Sequence, residues 1–291
     1  MRHPLYATSL ALIICAITVS AIPAETNLII MVDIPGGSFV MGSSYEIIEK
    51  PNRTVTVSPF TMAKYETTYN VWKKVADWAM QHGYDFETPG AMGGHLFKPV
   101  SHDDNEPVTA VNWYCAVKWC NAASEMHGLR PCYYTTAQKK DVYRKGAIDI
   151  SPACVQWNAG GFRLPTEAEW EYACRAGSTN RYYWGIEVTG DYFWNYANCG
   201  GQTHPVGQKK PNTFGLYDMS GNASEWCFDF FDDYDIKSIA DPKGPPSGEY
   251  RIQRGGGIPD QNNSLRSSAR SYTSPLTSMY DTGFRVVRSG R

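Results

Sequence analysis

Glycine and proline are so frequent in this chain that its fold must contain many tight turns. Of the 291 residues, 26 are Gly and 18 are Pro, which exceeds the average of about 12% for the two together. Aromatic residues make up 13% and hydrophobic residues 42%, enough to bury a sizeable core. Together these features favour a compact fold in which aromatic packing holds many loops.

The sequence gives no sign of a division into separate domains. A chain of 291 residues is long enough for one large domain or two ordinary ones, but neither a linker nor a repeat interrupts it. We therefore expect a single α+β domain with little regular secondary structure over residues 25–291. The formal net charge is −2 and no run of Lys or Arg occurs, so nothing favours nucleic-acid binding.

The first 24 residues have the pattern of a secretory signal peptide. A basic start at Arg2 and His3 is followed by an apolar run over 10–19 and by small residues at 19–21. The alternative is a membrane anchor, but a membrane span needs about 20 apolar residues and this run is shorter. We expect a signal peptide at 1–24, a secreted or periplasmic mature protein, and no transmembrane segment.

The cysteines fit an exported protein and show no zinc motif. Eight are present, and Cys15 would leave with the signal peptide. The seven that remain are Cys115, Cys120, Cys132, Cys154, Cys174, Cys199 and Cys227. An exported chain can form disulfides, although an odd number leaves at least one cysteine unpaired. None has CxxC spacing, which argues against zinc.

Two helices can be located from signals at their ends. Thr67 or Thr68 can cap a first helix that carries Trp72 on its apolar face. Asn112 can cap a second helix, which Gly128 ends.

A third helix has the clearest start. Thr166 and Glu169 have the spacing of a capping box, in which each side chain accepts the backbone N–H of the other residue. Gly177 closes this helix, and beyond it short strand patterns alternate with glycine turns. Strands are also expected within 34–42 and at 55–57.

Several motifs occur in a fixed order along the chain. They are IPGGSFVMG at 34–42, FRLPTEAEWEYA at 162–173, GLYDMSGNASEW at 215–226, RGG at 254–256 and GFRV at 283–286. On these motifs the chain resembles the sulfatase-modifying factor family, whose archetype is the formylglycine-generating enzyme, from about residue 32 to residue 288. The resemblance implies a fold of low regular content related to C-type lectins.

The resemblance leaves the function open. The family includes copper oxidases that act on sulfatase cysteines, iron-dependent sulfoxide synthases, a siderophore-maturation protein and variable ligand-binding proteins. Function must therefore be argued from the residues of the site.

The resemblance also locates a copper site whose cysteines are missing here. The enzymes of the family hold Cu(I) through two thiolates, between a turn that corresponds to 255–257 and an anchor that corresponds to 269–271. The residues between them, 258–268, contain no cysteine, and the ligand positions fall near Asp260 and Asn262. Carboxylate and amide groups bind Cu(I) poorly, so we expect no copper.

Two further family positions differ, and four arginines are kept. The turn serine of the family is Gly257 here, and Ser267 replaces a cysteine that pairs in the family with the position of Cys174. The arginines at motif positions are Arg254, Arg266, Arg270 and Arg285. We expect these to form buried ion pairs and to hydrogen-bond the scaffold.

The family binds a structural calcium ion at the motif that spans 215–226. Carried over to this chain, Asp218 and Glu225 would supply side-chain oxygens, while Gly221 and Ala223 would supply backbone oxygens. Such hard oxygen ligands suit Ca²⁺. The alternative is a turn-capping aspartate and a surface glutamate.

A second candidate metal site lies in a histidine-containing loop. His95 and His102 occur there with Asp103, Asp104 and Glu106. Two histidines and a carboxylate suit non-haem iron. The alternative, which we favour, is an ordinary solvated loop.

Two classes of function follow from these observations. The first is a module that binds an unknown protein or small-molecule ligand, because polar and tyrosine side chains make adaptable recognition surfaces. The expected ligand-binding residues are Asp260, Gln261, Asn262, Asn263, Tyr272 and Tyr280.

The second class is an oxidoreductase of the formylglycine-generating or siderophore-maturation type that uses different catalytic groups. Asp260, Glu225 or His102 would then serve as general base. A further variant would bind copper through displaced cysteines such as Cys199 and Cys227.

Overall fold

The computed structural model of the chain describes residues 28–98, 100–235, 237 and 239–290. The expected signal peptide at 1–24 and Cys15 lie outside these residues. Three α-helices occur in the described part: α1 (Tyr69–Gln81), α2 (Trp113–Met126) and α3 (Glu167–Arg175). Within the same residues, no helix is long and apolar enough to cross a lipid bilayer.

The helix starts agree with the sequence signals. The Thr68 hydroxyl accepts the Val71 N–H at the start of α1, and the Asn112 side chain accepts the Cys115 N–H at the start of α2. Both bonds of the capping box at Thr166 are formed. The predicted caps are thus confirmed, with Thr68 rather than Thr67 at α1.

The strands are short and belong to four separate sheets. In chain order the described strands are β1 (Met31–Ile34), β2 (Gly37–Met41), β3 (Arg53–Val57), β4 (Phe60–Ala63), β5 (Ala91–Met92), β6 (Val108–Thr109), β7 (Ser224–Phe230), β8 (Arg251–Arg254), β9 (Ser271–Thr273), β10 (Thr282–Gly283) and β11 (Val287–Ser289). They form sheets of order β1-β4-β11, β10-β7-β8-β9, β2-β3 and β5-β6. The mixture of three helices and several small sheets confirms the expected α+β class.

The four-stranded sheet is the element that positions the candidate site. Its strand β7 is buried along its whole length and pairs antiparallel with β8. On the other side β10 runs parallel to β7, with Thr282 opposite Ser224. Thr282 and Gly283 therefore lie beside the start of β7.

Aromatic side chains fill the larger of the two main apolar clusters. Trp72 of α1 and Trp119 of α2 stack with ring centroids 6.0 Å apart. Phe284 meets both rings edge-on, at 5.9 Å and 5.3 Å. Because such pairs add to the burial of apolar area, they join the two helices to the C-terminal strands. Ala168, Trp170 and Ala173 of α3 contribute to the second cluster.

All seven cysteines of the described residues are buried and unpaired. The disulfides expected of an exported chain are therefore not seen in this structure. Burial raises the pKa of the Cys174 thiol to about 12, and the nearby Ser267 hydroxyl opposes the rise. The serine that stands for the family's second cysteine thus lies against Cys174.

Candidate functional site

The candidate site is a groove of about 660 Å³ at the edge of the four-stranded sheet. Its walls come from four parts of the chain that are far apart in sequence. They are Glu46, Ile47, Ile48, Glu49, Ser224, Gln253, Arg254, Gly255, Gly256, Pro259, Asp260, Asn263, Ser264, Arg266, Ala269, Arg270, Ser271, Met279, Asp281 and Thr282. The volume lies within the usual range of ligand-binding clefts, about 300–1,000 Å³.

A glycine turn forms the inner end of the groove. Gly255 and Gly256 have φ angles of +90° and +70°, a region that favours glycine. A Cβ on Gly256 would lie 3.2 Å from the Ser264 carbonyl oxygen and 3.3 Å from Asp260 Oδ2. The Gly257 N–H donates to Asp260 Oδ2 at 2.8 Å. The turn therefore brings the Asp260 carboxylate close to the backbone.

Three arginines line the groove, and each is paired with a glutamate. Arg254 bonds Glu171, Arg266 bonds Glu49 at 2.7 Å, and Arg270 bonds Glu167 at 2.7 Å. Outside the groove, Arg285 bonds Glu225 at 2.6 Å. The prediction that the four motif arginines form buried ion pairs is confirmed. Their charges are neutralised inside the protein and are not offered to a ligand.

The groove loop, residues 258–269, is held through its main-chain carbonyls. The carbonyl oxygens of six of its residues accept hydrogen bonds, five of them from outside the loop and that of Asn263 from Arg266 within it. The bonds are Tyr196 N–H to Asp260, Tyr182 hydroxyl to Asn262, Arg266 Nε to Asn263, Ser220 hydroxyl to Leu265, and Arg254 to both Ser267 and Ala269. None of these acceptors depends on the loop's own side chains.

Asp281 is a groove residue that the sequence analysis missed. It is only 6% exposed, and its Oδ1 has no hydrogen-bond partner among the described residues. Burial raises the pKa of Asp281 to about 6, and the charge of Asp260 adds to the rise. Its carbonyl accepts the Ser224 N–H at 2.8 Å. The one signal in the sequence is its place two residues before the GFR motif.

The structure separates the six residues that were expected to bind ligand. Asp260 and Asn263 line the groove. Gln261 is exposed beside them, and the Asn262 side chain is bonded to Asn195 at 3.0 Å. The two tyrosines do not line the groove. Tyr272 stacks on Phe231 with centroids 3.7 Å apart, and the carbonyl of Tyr280 packs against Gly94 so closely that a Cβ there would overlap it.

The proposed calcium ligands lie in a buried acidic cluster that the sequence analysis described incompletely. Both oxygens of Glu225 accept bonds from Arg285, and one also accepts the Trp170 indole N–H. Asp218 Oδ2 accepts the Gly207 N–H at 2.7 Å. Burial first, and then the charges of Asp218 and Glu225, raise the pKa of a third carboxyl group, Glu66.

Some features of this cluster favour calcium binding and others oppose it. Three buried carboxylates face one guanidinium, so the charge favours a bound cation. Burial raises the pKa of Asp218 to about 6, with a contribution from Glu225. Glu225, however, has its oxygens engaged by Arg285. Within 28–98, 100–235, 237 and 239–290, no group of three or more His, Cys, Asp or Glu could hold a metal ion. Calcium at Asp218, Gly221, Ala223 and Glu225 stays a prediction.

The histidine-containing loop forms a chain of hydrogen bonds outside the groove. His102 Nδ1 lies 2.8 Å from Glu106 Oε2, and His102 Nε2 lies 3.4 Å from His95 Nδ1. Glu106 also accepts bonds from the Thr203 hydroxyl and the Asp103 N–H. Glu106 is buried while Asp103 is exposed. These bonds attach the loop to the segment that contains Thr203. They explain why the two histidines and Glu106 lie together without invoking a metal.

A second cavity of about 580 Å³ shares Arg266 with the groove. Its lining includes Phe39, Tyr45, Tyr172 and Arg181. No residue expected to bind ligand lines it, so we take the groove as the candidate site.

Several known proteins are similar to this chain in sequence and in fold. The model of the Sulfatase-modifying factor enzyme 1-like domain family matches residues 19–290. The chaperone protein LppX of Paenibacillus barcinonensis is 32% identical, covering 89% of each chain. The formylglycine-generating enzyme of Bos taurus is 32% identical, covering 88% of this chain and 74% of the bovine protein. The structure of Treponema denticola variable protein 1 matches with a TM-score of 0.74 at 29% identity, covering 89% of this chain and 95% of that one.

Proposed function

The chain belongs to the Sulfatase-modifying factor enzyme 1-like family, and we propose that within it the chain is a binding protein that recognises its ligand in the groove. The names of its relatives include a chaperone, an enzyme and a variable protein. Membership therefore leaves the function to be argued from the site.

The composition of the groove carries this proposal. Its lining contains neither cysteine nor histidine, whereas Cu(I) prefers soft thiolate ligands. The displaced cysteines do not replace them. Cys227 belongs to the second apolar cluster, and the Cys199 thiol lies 3.8 Å from the Ile258 carbonyl oxygen without lining the groove. The positions of the family's copper ligands are thus bordered by carboxylate, amide and hydroxyl groups.

The way the groove loop is held also supports binding. Because its path is held largely by main-chain carbonyls, side chains such as Gln261 and Ser264 can face a ligand without supporting the fold, whereas the Asn263 side chain also accepts a hydrogen bond from Arg181. A surface of this kind, preformed and polar, loses little conformational entropy when a ligand binds.

The second candidate is an oxidoreductase of the same family. The sequence similarity to the bovine formylglycine-generating enzyme supports it. Asp260 would then act as general base, because it is the one of the three candidate bases, Asp260, Glu225 and His102, that lines the groove. Glu225 is paired with Arg285, and His102 lies in the separate loop.

A formylglycine assay distinguishes these candidates. The protein is incubated with Cu(I), oxygen, a reductant and a Cys-x-Pro-x-Arg peptide, with the bovine enzyme as positive control. We expect no mass loss at the peptide cysteine beyond a control without protein. Conversion that a copper chelator abolishes would favour the enzyme over the binding protein.

Binding itself is tested with a library of neutral and charged fragments, followed by ligand-observed NMR. We expect a subset of fragments to bind the wild-type protein and to lose binding in Ser264→Trp, whose indole would fill the groove. A melting temperature close to wild type would show that the variant is folded. If no fragment binds, or if Ser264→Trp binds the same set, the groove is not the recognition site.

A further inference from the structure

The groove has unpaired negative charges, whereas its positive charges are paired. Arg254, Arg266 and Arg270 each have a glutamate partner within 4.0 Å. Among the described residues, no Lys, Arg or His side chain lies within the same distance of Asp260 or Asp281. Besides the exposed Glu46, the groove therefore offers a ligand two carboxylates without a cationic partner, Asp260 and Asp281, and no unpaired positive charge among the described residues that line it.

One oxygen of the Asp281 carboxylate, Oδ1, lacks a partner of any kind among the described residues. It is more than nine-tenths buried and lines the groove, yet its Oδ1 accepts no hydrogen bond. Burying a carboxylate without a partner is costly. The neighbouring Thr282 supplies a hydrogen bond, but within the part of the chain that the structure describes no cation lies within ion-pair distance of the Asp281 carboxylate.

The two carboxylates border the same short stretch of backbone. Asp281 Oδ2 lies 3.2 Å from where a Cβ on Gly257 would be. Asp260 Oδ2 accepts the N–H of the same glycine at 2.8 Å. A group that reaches the glycine turn from the groove thus meets both side chains.

On the premise that the groove is the binding site, we infer that it takes ligands with an organic cation, an ammonium or an amidinium, which sits between Asp260 and Asp281. Ammonium carries three N–H donors and amidinium-type groups carry more, enough to bond both the Asp281 carboxylate and the free oxygen of Asp260. The rest of the ligand lies along Asn263, Ser264 and Met279. A bare metal ion fits less well, because a hard cation needs about six oxygen ligands and would leave most of the groove empty.

The test compares probes of one shape and different charge. Benzylammonium, benzamidinium, benzyl alcohol and benzoate are titrated by NMR into the wild-type protein, Asp281→Asn, Asp260→Asn and the control Asp77→Asn. Asp77 is an exposed residue of α1 that pairs with Lys73. We expect the cations to bind about tenfold more tightly than benzyl alcohol, and each groove variant to lose about tenfold while Asp77→Asn loses nothing.

A pH series gives a second readout. Protonation of Asp281 removes the charge that attracts the cation, so affinity falls as the pH drops below about 6. Equal binding of benzyl alcohol and benzylammonium, or retention of cation binding in both groove variants, would overturn the inference. Calcium binding that Asp260→Asn and Asp281→Asn abolish and Asp218→Asn retains, with no binding of benzylammonium, would overturn it in favour of a metal in the groove. Neutral fragments that bind the wild type and not Ser264→Trp would preserve the proposed function even so.

Discussion

At the scale of single residues, arginine carries most of the buried positive charge of the described residues. Arg163 is 3% exposed and bonds both oxygens of Glu169, which is also the capping-box carboxylate of α3. Removing one partner of such a pair leaves the other buried and uncompensated. The neighbouring Trp157 ring, with its centroid 5.3 Å from the guanidinium carbon, adds a cation–π contact.

We expect Arg163→Met to lower the free energy of unfolding by about 3–5 kcal/mol, because Glu169 would stay buried without its cation. The matched control is Lys73→Met, which removes an exposed pair of 56% and 59% side-chain exposure. That change should be undetectable in the same urea titration. Equal effects of both substitutions would show that burial does not determine the strength of these pairs.

The buried carboxyl group of Asp229 should make the stability of the protein depend on pH. Burial, and then the charge of Glu167, raise the pKa of Asp229 to about 8, well above the ordinary aspartate value near 3.9. Between those two values the folded state keeps a proton that the unfolded state has lost. Stability from this group is therefore fully present at low pH and declines as the pH rises towards 8.

Asp229→Asn should flatten this decline and stabilise the protein at pH 8 by an amount on the order of a few kcal/mol. The amide oxygen can still accept the Glu167 N–H, which Asp229 Oδ2 accepts at 3.0 Å. Chemical denaturation across the pH range measures the effect. If the stability of the wild type and that of Asp229→Asn changed equally between pH 5 and 8, the prediction would be wrong.

At the scale of elements, α3 connects the capping box to the groove. Its residues Glu167 and Glu171 bond Arg270 and Arg254. The start of this short helix therefore fixes two of the carboxylates that hold the groove arginines in place.

Thr166→Ala should cost about 1 kcal/mol of stability, because a buried N-terminal N–H loses its acceptor. Thr68→Ala at the start of α1 is the comparison, since its cap bond is 3.4 Å long against 3.2 Å for Thr166. The smaller effect is expected there, as measured by urea denaturation. A larger loss at Thr68 would show that the capping box adds nothing to a single cap.

Helix ends and arginine pairs could be predicted from the sequence, because their signals are local or belong to motifs. Sheet partners could not. Phe60 of β4 pairs with Ser289 of β11, and no pattern near either residue indicates the other. Asp281 was missed for the same reason: its burial follows from the parallel pairing of β10 with β7. Tyr272 and Tyr280 were chosen by residue type, and neither lines the groove.

At the scale of the whole molecule, the acidic cluster of Glu66, Asp218 and Glu225 joins parts of the chain far apart in sequence. Glu66 accepts the Ala223 N–H and the Asn222 side chain. Arg285 comes from the C-terminal region. An ion bound here would stabilise the entire domain rather than one loop.

We expect millimolar calcium to raise the melting temperature by several degrees over a chelated sample. A ligand that binds only the folded state adds about 2.7 kcal/mol at a hundredfold excess over its Kd. Asp218→Asn should remove this difference and, by relieving repulsion with Glu66, raise the melting temperature in chelator. Identical melts with and without calcium, in the wild type and in Asp218→Asn, would exclude the site.

The carbonyl bonds of the groove loop have a consequence for how such a protein can change over generations. A carbonyl oxygen is present whatever the side chain is, so Gln261 or Ser264 can be exchanged while the loop keeps its path. New ligand preferences can then arise in single steps at nearly constant melting temperature. Selection has less freedom at the groove arginines. Losing Arg266 would leave Glu49 buried without its cation, and losing Arg254 or Arg270 would remove one of the cations that the buried Glu167 and Glu171 share.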